Sequence, residues 1–165
     1  MEEMDNGWHA SIEALLSEIS SEAVVREKLH REAHYRYKRM LDWFQLPLIA
    51  ISSCNAAAQF LSKSFPAHEN TIITITGSTS VLVSIITATM SYLKIGQLSS
   101  THSKAQSEWM TLYNSIRSQL MLARELRMNG EEYLKQVKSD FKQLVEFSPL
   151  PSRSSIAKVK KAIQT

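Results

Sequence analysis

Two stretches in the middle of this chain carry no Asp, Glu, Lys or Arg: Trp43–Ser62 (WFQLPLIAISSCNAAAQFLS) and Thr71–Leu93 (TIITITGSTSVLVSIITATMSYL). Each meets the roughly 20 residues that a helix rising ~1.5 Å per residue needs to cross a ~30 Å hydrocarbon core. The link KSFPAHEN is short, and its Pro66 and Asn70 suit a tight reversal. Two helices so joined must be antiparallel neighbours. The competing reading is a soluble bundle with two buried helices. Gln45, Pro47, Asn55 and Gln59 weaken the first run, and eight Ser/Thr between Thr71 and Thr87 weaken the second. The absence of charge decides for the bilayer, because a soluble core helix usually keeps one charged, solvated edge.

Flanking charge sets the expected orientation. Arg26, Lys28, Arg31, Arg36, Lys38 and Arg39 precede the first run, Lys63 and Glu69 lie in the link, and Lys94 and Lys104 follow the second run. Basic residues beside span ends favour the cytoplasm, so both termini are expected there. Trp43, Phe44 and Tyr92, with Arg36, Lys38, Arg39 and Lys94, form the expected membrane interface.

Both runs carry polar stripes. Gln45, Ser52, Asn55, Gln59 and Lys63 share one side of the first helix, and Thr76, Ser80, Ser84, Thr87 and Ser91 share one face of the second. Polar side chains facing lipid lack partners, so these stripes should face protein or water. One reading is packing, since small residues every fourth position let backbones approach closely. The other is a pore lining of Ser52, Asn55, Gln59, Thr76, Ser80, Ser84 and Thr87. Asn55 and Gln59 call for a facing helix from another copy or for water, and either demand implies a homo-oligomer.

Amphipathic helices flank the hairpin. Trp8, Ile12, Leu15, Leu16 and Ile19 keep helical spacing, and Ser20–Ser21 suggest a break with a new N-cap. Glu22–Leu41 then places Val25, Leu29, Ala33 and Met40 on one side. Downstream, Leu98, His102, Ala105, Trp109, Leu112, Ile116, Leu120 and Ala123 trace a coiled-coil-like seam, continuous with the second span. Asn129–Gly130 predicts its end. Glu131 and Glu132 open another helix, with apolar Leu134, Val137, Phe141 and Leu144, which Pro149 and Pro151 stop. The predicted fold is therefore all-α: N-terminal amphipathic helices over 1–41, a transmembrane hairpin over 42–93, C-terminal helices over 94–147 and a basic tail over 148–165. That tail has four basic residues and no acid after Pro151, so it can lie on anionic lipid or stay solvated.

Signs of catalysis are sparse. His30 and His34 are spaced i, i+4, but HREAH displaces the glutamate of a zinc-protease motif and no third ligand follows. They read as solvated helix histidines, and no metal or cofactor is expected. Phosphate loops, nucleophile elbows and paired carboxylates are not seen. Cys54 reads as a small buried residue of the first span. With 19 Lys+Arg against 16 Asp+Glu the net charge is +3, too small to imply nucleic acid. The expected chain is no enzyme.

HYRYKRMLDWFQLPLIAISS, a short link, a Ser/Thr-rich second run and a long helix starting near His102 resemble the SLATT two-transmembrane domains. The SPLPSRSSI segment resembles viral members. The resemblance spans about Leu29 to Ile156. It implies a membrane effector, often pore-forming, linked in bacteria to nucleotide-signal defence. No sensor or nucleotide-generating domain is legible in these residues, so a stand-alone member that anchors or shapes a cellular or virion membrane is the alternative.

Overall fold

The structure, a computed structural model, describes residues 6–163. They form five α-helices: α1 (Ala10–Leu61), α2 (Glu69–Tyr92), α3 (Ile95–Met121), α4 (Gly130–Phe147) and α5 (Arg153–Ile163). Short 3-10 turns lie at Ser62–Ser64, Pro66–His68 and Arg124–Leu126, and no strand occurs among the described residues. Two compact units result. One takes the described residues up to His34 and from Ser100 onward; the other is Tyr35–Ser99.

The first unit has an apolar core of the kind the spacing predicted. Trp8, Ile12, Leu16, Ile19 and Ala23 meet Ala105, Trp109, Leu112 and Ile116 of α3 and Tyr133 and Val137 of α4. Burying each large side chain contributes about 1.5–3 kcal/mol. Trp109 is fully buried, packs edge-on against Phe141 at 5.6 Å, and donates its indole N–H to Ser148 Oγ at 3.0 Å. Arg26 lies over the Trp109 ring at 5.1 Å.

Residues just ahead of α1 are held against the α3–α4 connection. Asn6 Nδ2 donates to the Arg127 carbonyl at 2.6 Å, Trp8 Nε1 to the Met128 carbonyl at 2.7 Å, and the Gly130 amide to the Asn6 carbonyl at 2.9 Å. The approach is so close that a Cβ on Gly130 would sit 2.5 Å from the Gly7 carbonyl oxygen. Gly7 itself has φ +73, a conformation that glycine adopts without steric cost. Glu13 receives both Arg124 and Arg127, and those hydrogen bonds hold its carboxyl below the usual range.

Several local expectations are corrected. Ser20–Ser21 does not break the helix: α1 runs through it, Ser20 is buried, and the Ser21 hydroxyl bonds back to the Ser17 carbonyl instead of capping. The buried face beyond Ser20 is Ala23, Glu27, His30 and Ala33, while Val25 and Met40 are exposed. The second long helix is not continuous. It stops at Tyr92, turns through Lys94 at φ +50, and restarts at Ile95. The seam of α3 ends at Met121, so Ala123 lies outside the helix and exposed, and Leu98 is exposed as well, the buried residues near it being Ile95 and Ser99. Asn129 opens α4 rather than closing α3, because its side chain accepts the Glu132 amide at 3.1 Å as an N-cap. Asn70 falls inside α2, not in the reversal. The segment after Pro151 is helical: Ser152 Oγ accepts the Ser155 amide, Ser155 and Val159 are buried, and Lys158 pairs with Glu32. Tyr133 was missing from the predicted α4 face and supplies one of its buried residues.

The second unit is a helical hairpin made by the later part of α1 and by α2. Both helices are long and apolar enough to cross a membrane. Their most apolar windows are 0% and 6% buried, the opposite of a soluble core helix.

Candidate functional site

Few polar groups lie inside the hairpin, and one side chain organises them. Asn55 of α1 donates its amide to Thr79 Oγ1 at 2.7 Å, with Ser80 Oγ at 3.3 Å and the Thr76 carbonyl at 3.4 Å beside it. Thr79 donates its own hydroxyl to the Ile75 carbonyl at 2.9 Å, so its oxygen is free to accept from Asn55. Thr76 is buried, and its hydroxyl returns to the Ile72 carbonyl at 2.8 Å. The two stripes thus meet along Asn55, Thr76 and Ser80. Asn55 Nδ2 finds its partners within the same hairpin. Thr79 was not singled out from the sequence, although it is the nearest acceptor.

The other stripe residues lie outside this contact, Ser52 and Thr87 on the walls of a neighbouring cleft. Ser52, Gln59, Ser84 and Thr87 are exposed. Ser84 and Thr87 donate to the Ser80 and Val83 carbonyls, at 2.9 and 2.8 Å, which satisfies their hydroxyls without a partner helix. Cys54 is exposed, not buried, because the buried side of α1 at that level belongs to Asn55. Of the interface residues, Trp43 and Tyr92 are 77% and 86% exposed, and Phe44, Arg36, Lys38, Arg39 and Lys94 are exposed as well.

Between the Asn55 contact and the Lys94 turn, the two helices leave a cleft of about 820 Å³. Leu41, Leu48 and Ile49 line it from α1, Val83 and Met90 from α2, and Lys94, Gly96 and Gln97 stand at one end. Pro47 lies within this stretch of α1, where it removes one backbone hydrogen bond and disfavours a straight helix.

A second polar cluster sits inside the first unit. His30 and His102 are buried, with their Nδ1 atoms 3.0 Å apart. One ring must donate and the other accept, so at least the accepting ring is neutral and carries its hydrogen on Nε2. Burial pushes His30 down to about 4, helped by His102 and Arg26; burial also lowers His102, with His34 adding to the effect. One turn away, buried Glu27 accepts from Gln106 Nε2 at 3.1 Å and pairs with Arg31 at 3.6 Å. His30 is therefore not the solvated histidine expected from its i, i+4 spacing with His34. No buried side-chain nitrogen or oxygen among the described residues lacks a partner. Nor do three or more His, Cys, Asp or Glu gather there as a metal site.

Comparison of the chain with known protein families, with curated proteins and with solved structures finds no match.

Proposed function

We propose that the chain is a two-span integral membrane protein, a SLATT-like effector that self-assembles in the bilayer. The observation that carries this reading is outward-facing apolar surface on the hairpin. Leu46, Phe60, Val81 and Leu82 are each about 60% exposed or more. In water such a surface far exceeds what a soluble monomer tolerates; in lipid it is the ordinary exterior. Two spans put both ends of the chain on one side, and Arg36, Lys38, Arg39 and Lys94 favour the cytoplasm.

Self-assembly rests on the residues the hairpin leaves outside. Gln59 presents an exposed primary amide at span depth, with Ser52 on the same helix. Facing copies would satisfy them, and a ring of such copies would enclose a polar passage. A second reading, a non-conducting anchor or scaffold in a cellular or virion membrane, draws support from the direct Asn55–Thr79 bond, which packs the hairpin without water.

The test is one reconstitution. The full chain should resist carbonate extraction, and a membrane-impermeant maleimide should leave Cys54 unlabelled in liposomes but label it after detergent unfolding. The purified oligomer should have a defined mass and leak ions, and Gln59→Leu should cut the leak at least tenfold with insertion unchanged. Defined oligomers with no leak would select the anchor. A chain released by carbonate would overturn both.

A further inference from the structure

We propose that the cleft of the hairpin is a binding site for one anionic phospholipid, an inference that rests on the bilayer reading above. The cleft is bounded by the Asn55–Thr79 contact at one end and by the Lys94 turn at the other. Its α1 wall, Leu41 to Ser53, rises about 18 Å, close to the ~15 Å half-thickness of the hydrocarbon core that one acyl chain fills.

The wall chemistry suits an acyl chain. Leu41, Leu48, Ile49, Val83 and Met90 supply apolar surface. The hydroxyls of Ser53 and Thr87 also reach the lining, but each bonds a carbonyl of its own helix, Ile49 at 2.9 Å and Val83 at 2.8 Å. Those two therefore ask nothing of an occupant, while Gln45, Ser52 and Ser91 add further polar groups to a lining that is otherwise apolar.

The end of the cleft supplies the opposite chemistry. Lys94 brings a positive charge, and α3 begins beside it with the positive end of its dipole. Lys94 holds φ +50, a left-handed conformation uncommon for a residue with a side chain. Glycine would take this turn without strain, so a lysine there is consistent with a role for the charge. A long apolar slot ending in a cation matches a lipid tail with a phosphate head.

The full chain in detergent would be mixed with phosphatidylglycerol or phosphatidylcholine of equal chain length and examined by native mass spectrometry. One retained phosphatidylglycerol per chain is expected, favoured about fivefold over phosphatidylcholine, as one basic residue at an anionic surface supports. Lys94→Gln should erase that preference. Lys94→Gly, which relieves the backbone, should erase it too while folding at least as well. Met90→Trp should fill the slot and reduce retention of both lipids. Equal retention by the parent chain, or a preference that survives both Lys94 variants, would overturn the site. So would a lipid-free dimer that Met90→Trp dissociates, because a second copy would then occupy the cleft. Carbonate extraction of the same samples separates the two ideas: a chain that stays in the membrane without the preference loses this site alone.

Discussion

At the scale of single residues, the His30–His102 pair is the clearest case of chemistry set by burial. Two neutral rings can share one hydrogen at 3.0 Å; two imidazoliums cannot. His30 falls from 6.5 to about 4 in the folded chain. Between those values the unfolded chain binds more protons, so folding stability is lost as pH falls from about 6.5 toward 4 and is fully present above. Each such group contributes up to about 1.4 kcal/mol per pH unit across that window. Arg26 and His34 add to the repulsion, while Glu27 one turn away is engaged by Gln106 and Arg31. Denaturant unfolding followed by Trp8 and Trp109 fluorescence should show a loss of about 2 kcal/mol between pH 7.5 and pH 5. His30→Gln should flatten that dependence. An equal slope in parent and variant would mean that other groups carry it. The sequence concealed this pair because the two histidines are 72 positions apart. Spacing along one helix pointed to His34 as the companion of His30, and a predicted apolar seam absorbed His102.

Among the elements, the apolar faces were legible and the junctions were not. Period-3.6 spacing found most of the buried residues of early α1 and of the middle of α3, and in α4 it found Val137 and the partly buried Leu134, Phe141 and Leu144 but missed Tyr133, since each face is decided by many residues at once. A junction depends on one or two groups and on what lies across from them. Ser20–Ser21 carries a cap signature, yet packing across that stretch keeps α1 helical. Asn129 has the right chemistry for a helix boundary, but whether it ends one helix or begins the next depends on the Glu132 amide. Gly130 is the junction residue whose role follows directly from space. A Cβ there meets the Gly7 carbonyl oxygen at 2.5 Å and its carbon at 2.9 Å, both backbone atoms unable to swing away. Gly130→Ala should therefore cost about 1–3 kcal/mol and lower the midpoint of thermal unfolding. Gly77→Ala is the control, because nothing lies within 4 Å of its added Cβ. Equal midpoints for the two variants would show that the 6–8 and 127–130 segments part without cost.

Over the whole molecule, the absence of charge marked out the hairpin, and the polar stripes gave its contact face in part. What the stripes left open was the identity of the partner. Asn55, Thr76 and Ser80 meet inside one chain, whereas Gln59 and Ser84 are exposed and Thr87 lines the cleft. A helical wheel treats those residues alike, because it carries no information about where an opposing helix sits. On the bilayer reading proposed above, the Asn55 contact also bears on how such a chain enters lipid. A first span delivered by itself would carry a bare carboxamide into hydrocarbon and would wait there, poorly anchored, until Thr79 arrived. The two passages should therefore leave the insertion machinery as a couple. In a cell-free translation with microsomes, a product halted after Leu61 should slip back into the aqueous phase more readily than the same product carrying Asn55→Leu; identical retention of the two would mean that the first passage enters on its own.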